Sequence, residues 1–585
     1  MHDALRLRPL AAAMLPLAAL FVFPPASPGL AAAPPRTFRR TIERVPGMDP
    51  VTASSAGAAR VVGLVYECLL EYEYEARPYR LAPGLAALPD VSEDGLSYLF
   101  RLDPEARFAA DPCFGTDKNG APLSRPVTAF DAVYSFRRLA DARLASPGYW
   151  TIQNRIRGVE AFRERTAAPG APDAMDIPWD GVEALDAHTL RITLERPCPQ
   201  FLWILAMAYA SIVPHEAVAF YGSAFAEHPV GSGPYRLSRW RRNYVMEFER
   251  NQDWPRWNRA PGAPDDGPPF DRILFLVMDD ASTQWLSFLA GELDFQGEIG
   301  RDNWDVVFDP SGGLSPGLEA AGIRLTSMET LEVAYIGLNM DDPVLGPNKP
   351  LRQALNLAVD ATRWVEFYNR RVTMADGPIP LAVAGRADLP SPRDLPAEQR
   401  LGRARELLAE AGYPEGRDPA TGRRLSLTLD LGRTTQDMRE STELLAAFFD
   451  RIGIELKAEY HNWPAFLRKL SRRESQMFRI GWVGDYPDAE NFLQLFYGPS
   501  ASPGPNRCNY ANPEFDRLFE AAMVETDDAK RYALYAELDR IVREDCPWIF
   551  LHYPRNYSLY RSRVRNYRAH DFPYGMEKYL RDGSR

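Results

Sequence analysis

The feature that most constrains the fold is the alternation of strand-like and helix-like segments between residues 425 and 482. Leucines occupy every second position from Leu425 to Leu431, which predicts a half-buried strand. Apolar residues at helical spacing follow, at Leu444, Leu445, Phe448 and Ile452, and Gly453 ends the pattern. A second alternating stretch at Phe478, Ile480 and Trp482 predicts another strand. This order of strand, helix and strand favours an α/β protein.

Local start and stop signals predict further helices along the chain. Thr128 and Asp131 have the spacing of a capping box. Asn512, followed by Pro513, is a typical helix start. Apolar stripes also cover residues 351–358, behind Pro350, and residues 401–411, before Gly412. These stripes are core-forming faces and carry no information about function.

The first residues have the layout of a secretory signal peptide. Arg6 and Arg8 precede an apolar run from Leu10 to Phe23, and the small residues Ala31, Ala32 and Ala33 follow. We therefore predict a cleaved signal over residues 1–33 and a periplasmic mature protein. An uncleaved membrane anchor is the alternative, although the run is shorter than the ~20 residues of a spanning helix. No cysteine lies at this boundary, so we expect no lipid anchor.

Charge and cysteine content exclude several classes of partner. The formal net charge of -11 predicts no binding to nucleic acid. The five cysteines include no C-x-x-C pair, so no metal site is predicted from them. An oxidising compartment would permit one or two disulfides, whose pairing the sequence does not define. The length of 585 residues indicates two to four domain-sized units.

Motifs of the common enzyme classes are missing from the chain. It contains no G-x-S-x-G, no H-E-x-x-H and no phosphate loop, and His215-Glu216 is not followed by a second histidine ligand. We therefore predict no catalytic residue, no metal and no cofactor. Paired carboxylates among 79 acidic residues leave a secreted hydrolase open as an alternative. Ligand binding is the default expectation for an exported α/β protein without such motifs.

A set of ordered segments resembles one known family. His228–Tyr235, for example, reads HPVGSGPY and is close to the family pattern PvGtGPy. The matching segments, in family order, are Gly95–Leu102, Pro126–Ser135, His228–Tyr235, Leu351–Asp360, Leu407–Tyr413 and Tyr510–Asp516. They resemble family 5 of the extracellular solute-binding proteins of ABC transporters, the oligopeptide- and dipeptide-binding type. The match extends over most of the mature chain.

The resemblance implies an α/β fold of the periplasmic-binding-protein type II-like class. Two lobes are joined by two hinge strands, and an inserted subdomain at about 60–185 interrupts the first lobe. Lobe I is expected over residues 34–275, lobe II over 276–550, and residues 551–585 return to lobe I. Asp271–Leu276 and Trp548–His552 are the predicted hinge strands, although plain buried strands fit them equally. Stretches near 109–126 and 159–181 are longer than the family pattern and are expected to decorate one lobe.

Asp485 is the position on which the residue-based and family-based arguments converge. It follows the predicted strand ending at Trp482, and open α/β sheets bind ligands beyond the carboxyl ends of their strands. In the family, the aspartate of a W..D segment pairs with the ligand's α-ammonium, and Asp485 matches it. Such a charge-assisted hydrogen bond contributes about 1.5–3 kcal/mol. The alternative is that Asp485 only shapes a turn.

Three further residues and one backbone segment are predicted to contact the ligand. Arg433 lies just past the leucine-alternating strand and could bind a ligand carboxylate, with plain surface solvation as the alternative. Gly481 to Gly484 could pair through the backbone with an extended peptide. Trp482 could form a wall of the pocket, and Tyr66 matches a family segment near the cleft. Core packing is the alternative for both aromatic side chains.

The resemblance also implies a function. The chain is predicted to be the exported solute-binding component of an ABC importer, binding a peptide between its lobes and delivering it to an inner-membrane permease. It is expected to be a monomer and not an enzyme. The same fold carrying nickel, a sugar or haem is the nearer alternative, and a secreted hydrolase is the farther one.

Overall fold

The computed structural model describes residues 34–257 and 267–584. The predicted signal peptide, residues 1–33, lies outside the described residues. All five cysteines are described, and each is a free thiol, so the permitted disulfides are not formed in this structure. In the described ranges, no helix combines the length and the apolar character needed to cross a membrane.

Strands and helices are interspersed along the described chain, and they alternate strictly from β17 to β19. The strands are β1 Thr37–Ile42, β2 Leu70–Tyr72, β3 Leu81–Pro83, β4 Asp90–Val91, β5 Ser97–Arg101, β6 Asp111–Thr116, β7 Pro122–Leu123, β8 Val182–Ala184, β9 Thr189–Thr193, β10 Tyr235–Arg241, β11 Val245–Arg250, β12 Arg272–Val277, β13 Phe295–Gln296, β14 Ile323–Glu329, β15 Glu332–Leu338, β16 Val372–Met374, β17 Ser426–Leu431, β18 Glu455–Tyr460, β19 Met477–Val483, β20 Trp548–Arg561, β21 Val564–Arg565 and β22 Arg581–Asp582. The helices are α1 Ala56–Val65, α2 Ala129–Ala140, α3 Val159–Ala167, α4 Phe201–Ile204, α5 His215–Tyr221, α6 Ala281–Ala290, α7 Trp304–Val307, α8 Pro316–Ala320, α9 Lys349–Ala358, α10 Ala361–Phe367, α11 Ala397–Glu410, α12 Gln436–Asp450, α13 Trp463–Ser471, α14 Glu490–Leu493, α15 Pro513–Val524 and α16 Asp528–Asp545.

The predicted local signals are confirmed in the helices and strands that they mark. The alternating leucines form β17, and the stretch before Asp485 forms β19. The Thr128 amide donates to Asp131 Oδ2 at 2.9 Å, which closes the capping box of α2. Asn512 Oδ1 accepts from the Glu514 amide at 3.0 Å at the start of α15.

The first lobe is defined here as the part of the chain built on a four-stranded sheet, whose strand order is β1-β12-β11-β10. Here β12 pairs in parallel with β1 and antiparallel with β11. The buried side chains of Phe38, Phe248 and Phe275 lie in the core of this lobe. Strands β13 and β14 pair with the second half of β20 and extend the same lobe.

The second lobe is defined as the part built on strands β15, β19, β17 and β18 together with the first half of β20. Strand β17 is parallel to both β18 and β19, as expected for strands joined through helices α12 and α13. Leu427 and Leu429 of β17 pack with Leu445 and Phe448 of α12 in one buried cluster. This packing uses the apolar faces that the sequence pattern indicates.

The inserted subdomain is a four-stranded sheet in the order β4-β5-β9-β8, with α2 and α3 beside it. Its buried residues, such as Phe100 and Phe201, belong to the same hydrophobic cluster as Phe496 and Trp548 of the second lobe. The longer stretch near 109–126 forms the hairpin β6–β7, and the stretch near 159–181 contains α3.

The predicted hinge at Asp271–Leu276 needs correction. Strand β12 is paired on both sides inside the first-lobe sheet, so it does not pass between the lobes. The other candidate, Trp548–His552, is the first part of β20. Its residues 548–552 pair with β15, whereas residues 555–561 pair with β14. The strands that continue from one lobe to the other are therefore β14–β15, through Thr330 and Leu331, and β20.

Candidate functional site

Asp485 lies two residues beyond the end of β19, at the carboxyl end of the second-lobe sheet. A single asparagine fixes this segment. The Asp485 amide donates to Asn491 Oδ1 at 3.1 Å, and Asn491 Nδ2 donates back to Asp485 Oδ2 at 3.2 Å. Trp482 Nε1 donates to the same Asn491 Oδ1 at 3.0 Å. Because Asn491 is fully buried, it holds both the carboxylate and the indole in place.

The Asp485 carboxylate borders a cavity of about 240 Å³ between the two lobes. Residues from both sides line it: Ala53, Ser54, Ser55, Ala56, Ala59, Met207, Ala208, Tyr209, Val483, Gly484, Asp485, Asp571, Phe572, Pro573 and Tyr574. Burial raises the pKa of Asp485 above its ordinary value, and the hydrogen bond from Asn491 lowers it in part. Charge on Asp485 is therefore costly until a cation binds beside it.

A second carboxylate, Asp571, lines the same cavity from the carboxy-terminal segment. The Tyr79 hydroxyl donates to Asp571 Oδ2 at 2.7 Å, and the Leu331 amide donates to Asp571 Oδ1 at 3.1 Å. Burial also raises the pKa of Asp571. Among the cavity-lining residues of the described chain there is no lysine and no arginine, so the lining is acidic.

Strand β19 presents an unpaired backbone edge next to Asp485. On one side it pairs with β15 from Met477 to Val483. On the other side β17 reaches only as far as the pair Leu431–Arg479. Across the described ranges, no strand pairs with this edge beyond Arg479, so residues 480–483 offer backbone donors and acceptors to an extended chain.

The two predicted glycines have different surroundings. Gly484 is buried, and its amide donates to the Leu331 carbonyl at 2.7 Å. A Cβ atom there would lie 2.9 Å from Cζ of Phe492, so the close packing requires glycine. Gly481 is exposed on the free edge, and a Cβ atom there would lie 3.1 Å from a carboxylate oxygen of Glu332.

Arg433 and Tyr66 are not among the residues that line the cavity beside Asp485. Arg433 is exposed beyond β17, and its charge lowers the pKa of Glu332, which burial raises. Tyr66 is 1% exposed and packs against Phe225 in the first-lobe core. Burial raises the pKa of its hydroxyl far above the ordinary value. The packing alternative for Tyr66 therefore describes its position in this structure.

Sequence reasoning missed the cavity-lining residues Asp571 and Tyr209. Asp571 lies in the segment between β21 and β22, and it is not next to a strand end or a helix start. The sequence pattern therefore gives no reason to select it. Its only local signal is the following Pro573 and Gly575, which indicate a turn and no ligand contact. Only the return of the chain to the first lobe brings Asp571 to the cavity.

Two clusters of potential metal ligands occur in the described chain, both outside the cavity lining. Asp131, His215 and Glu216 surround Arg125, whose guanidinium lies 2.7 Å from Asp131 and 2.5 Å from Glu216. Asp430, Glu459 and His461 surround Lys469, whose ammonium lies 2.7 Å from Asp430 and 2.9 Å from Glu459. A side-chain cation already pairs with the carboxylates of each cluster and offsets one of their two negative charges.

These features define a class: a two-lobed binding protein whose cavity lies between lobes joined by continuous strands. Residues 80–504 match the bacterial extracellular solute-binding proteins, family 5, middle region. The chain belongs to this family.

Similar proteins agree with the assignment. Heme-binding protein A of Haemophilus influenzae is 27% identical over 518 residues, which cover 87% of this chain and 85% of that protein. The periplasmic oligopeptide-binding protein OppA of Escherichia coli is 27% identical over 551 residues, covering 91% and 90%. The solved unliganded open form of MppA, a periplasmic murein tripeptide-binding protein, superposes with a TM-score of 0.74 at 22% identity and covers 94% of this chain and 98% of its own. All three are named as binding proteins. The similarity to the MppA structure shows only that the fold is shared.

Proposed function

We propose that this chain is the exported solute-binding component of an ABC importer, and that it binds a peptide through Asp485 and delivers it to an inner-membrane permease. It acts as a periplasmic monomer after removal of residues 1–33. The observation that carries the proposal is the position of Asp485, a half-buried carboxylate beside an unpaired strand edge on the wall of the interlobe cavity. A peptide has an α-ammonium that can pair with the carboxylate and an extended backbone that can pair with the strand edge.

In this proposal the ligand's ammonium binds Asp485 and its backbone pairs with residues 480–483. Gly481 leaves the edge open, Gly484 permits the close packing of Phe492, and Trp482 forms part of the wall. Arg433 stays a proposed partner for the carboxylate of a longer ligand, whereas Tyr66 supports the first-lobe core.

Ligand binding is proposed to favour the closed arrangement of the lobes. A ligand held by Asp485 of the second lobe and by first-lobe groups has a higher affinity for the closed form and shifts the equilibrium toward it. We place the lobe boundaries near Thr330 and at 552–555 in β20, and not at 275/276 and 550/551, because the strand pairing changes sheet there. The closed form would then dock on the permease.

The acidic lining favours a peptide over the other solutes considered. A haem ligand carries carboxylates, which Asp485 and Asp571 would repel. A neutral sugar would leave two half-buried carboxylates without a counter-charge. Nickel would need ligands of the kind found in the two clusters whose carboxylates already pair with Arg125 and Lys469. A hydrolase is disfavoured because the similar proteins are named for binding.

Isothermal titration calorimetry with a panel of di- to pentapeptides tests the proposal. We expect binding of at least one free peptide, and a loss of affinity of at least about tenfold, or ~1.4 kcal/mol, in Asp485→Asn. Acetylating the amino terminus of the same peptide should cause a comparable loss in the wild type and little further loss in Asp485→Asn. Asp117→Asn, at the exposed hairpin tip, is the matched control.

The outcomes separate the alternatives. If no peptide binds, the peptide assignment is rejected. If peptides bind equally well with and without a free amino terminus, the role of Asp485 is rejected. A peptide-hydrolysis assay on the same mixtures would reveal turnover, which would reject the transport assignment.

A further inference from the structure

The interlobe cavity contains two carboxylates, and a peptide's α-ammonium compensates only one of them. Asp485 comes from the second lobe, and Asp571 comes from the carboxy-terminal segment beside the first lobe. We propose that Asp571 is a specificity-determining residue that selects ligands carrying a second positive charge, namely short peptides with a lysine or arginine side chain at the first or second position. This inference rests on the proposed function of the same site.

Asp571 is held firmly but retains hydrogen-bonding capacity. Tyr79 and the Leu331 amide each donate to a different oxygen of the carboxylate. An ionised carboxylate offers about four acceptor sites, so these bonds leave room for a ligand donor. The bonds also fix the direction of the carboxylate, because Tyr79 is itself buried in the core.

The charge around Asp571 is asymmetric. Arg77 is the basic group that lowers the pKa of Asp571, and its guanidinium stacks over the Tyr79 ring at 4.2 Å. Arg77 is not among the lining residues, so its charge lies behind the cavity wall. On the cavity side of Asp571, the lining residues of the described chain include no lysine and no arginine. A ligand cation would therefore meet a partly desolvated carboxylate, where a charge-assisted hydrogen bond is favourable.

Leu331 forms backbone hydrogen bonds to Asp571 and to the residue before Asp485, and so links the segments that carry the two carboxylates. The Leu331 carbonyl accepts from the Gly484 amide at 2.7 Å, immediately before Asp485, and the Leu331 amide donates to Asp571. Leu331 lies on the segment through which β14 continues into β15, at a crossing between the lobes. A ligand with two cations can therefore bind groups from both lobes at the point where they join.

The size of the cavity points to a small ligand. Its volume of about 240 Å³ lies below the ~300–1,000 Å³ of typical small-molecule pockets. A dipeptide with one basic side chain places two cations a few bonds apart, whereas a longer chain would extend along residues 480–483. Dipeptides are therefore suitable probes of this cavity.

Calorimetry with matched dipeptides tests the inference. Lys-Ala is compared with Nle-Ala, and Ala-Lys with Ala-Nle, because norleucine has the lysine hydrocarbon chain without its ammonium. In the wild type we expect the lysine member of at least one pair to bind at least tenfold more tightly. In Asp571→Asn, which keeps the side-chain shape, this ratio should fall below threefold, while the norleucine peptides keep their affinity within about threefold.

The wild-type comparison needs no variant and stays decisive if Asp571→Asn does not fold. Equal affinities within both pairs overturn the inference, and leave the proposed function intact provided that Asp485→Asn still weakens binding. A lysine preference that persists in folded Asp571→Asn overturns the role of Asp571. Failure of all four dipeptides and of the longer panel rejects the peptide function and this inference together.

Discussion

At the residue scale, Asp485 combines burial with few protein donors. Its carboxylate accepts from Asn491 alone among the hydrogen bonds between described residues, at 3.2 Å. A structural carboxylate that only shapes a turn would be expected to accept several backbone amides, as Asp117 does from Asn119 and Ala121. Asp485 instead keeps one oxygen available toward the cavity, which favours a ligand contact.

The raised pKa of Asp485 predicts how affinity depends on pH. In the proposed contact the ionised form of Asp485 binds the ligand's ammonium, so affinity should be highest above this pKa and fall as the pH drops through it. The stability of the ligand-free protein depends on pH in the opposite direction. Because the folded-state pKa is raised, this group stabilises the fold below its unfolded pKa of about 3.9, and that contribution is lost as the pH rises through the folded value.

Calorimetric titrations of Nle-Ala between pH 7.5 and 4.5 measure this effect. The wild type should lose affinity as the pH falls, and Asp485→Asn should show a flatter profile at lower affinity. The peptide carries a single cation so that Asp571 contributes as little as possible. Identical slopes in both proteins would show that another group controls the pH dependence.

Sequence patterns predicted Asp485 as a candidate site residue and gave no signal for Asp571, for a physical reason. Asp485 follows a strand with a clear period of two, and the carboxyl end of a strand is where ligands bind in such sheets. Asp571 depends on contacts with Tyr79 and Leu331, which are hundreds of residues away in sequence. No local periodicity encodes a contact of that kind.

At the element scale, β20 is the strand that joins the lobes, and it contains a buried histidine. His552 is 7% exposed, and its Nδ1 accepts from Trp364 Nε1 at 3.1 Å. Burial, with the nearby charge of Arg479, lowers the pKa of His552 to about 3. The imidazole is therefore neutral in the folded protein at any pH above this value.

This neutral histidine should destabilise the protein in acid. Its unfolded pKa is about 6.5, so stability from His552 is present above that pH and is lost as the pH falls toward the folded value. Between pH 6.5 and 5 one such group lowers the free energy of unfolding by about 1.6 kcal/mol. Urea unfolding at both pH values should show a smaller loss in His552→Asn, which keeps an acceptor for Trp364, and the wild-type loss in His188→Asn at the surface. An equal loss in all three proteins would contradict the assignment.

Local signals predicted helices and strands better than they predicted hinges. The capping box of α2 and the Asn512 cap of α15 depend on residues a few positions apart, and the structure contains both. The two predicted hinge strands are similar short apolar runs. One is enclosed within the first-lobe sheet, and the other begins the joining strand. Which sheet a strand joins depends on long-range pairing that its own residues do not specify.

At the scale of the whole molecule, the segment that follows β9 of the inserted subdomain contacts the second lobe through a chain of buried hydrogen-bonded side chains. Gln200 Nε2 donates to the Tyr535 hydroxyl at 2.8 Å, and this hydroxyl donates to Asp488 Oδ1 at 2.7 Å. All three residues are at most 5% exposed. Asp488 lies three residues after Asp485, so the contact between the lobes adjoins the proposed ligand site.

This arrangement predicts that Tyr535 contributes to ligand affinity without touching the ligand. Tyr535→Phe removes both hydrogen bonds and leaves Gln200 and Asp488 buried with fewer partners, which costs about 1–3 kcal/mol in the form where the contact exists. If ligand binding favours that form, peptide affinity should fall about fivefold or more. Tyr532→Phe, on the same helix but with no bond to Gln200, is the matched control. Calorimetry with the best peptide of the panel measures both variants. Equal affinities for Tyr535→Phe and the wild type would show that this contact is independent of ligand binding.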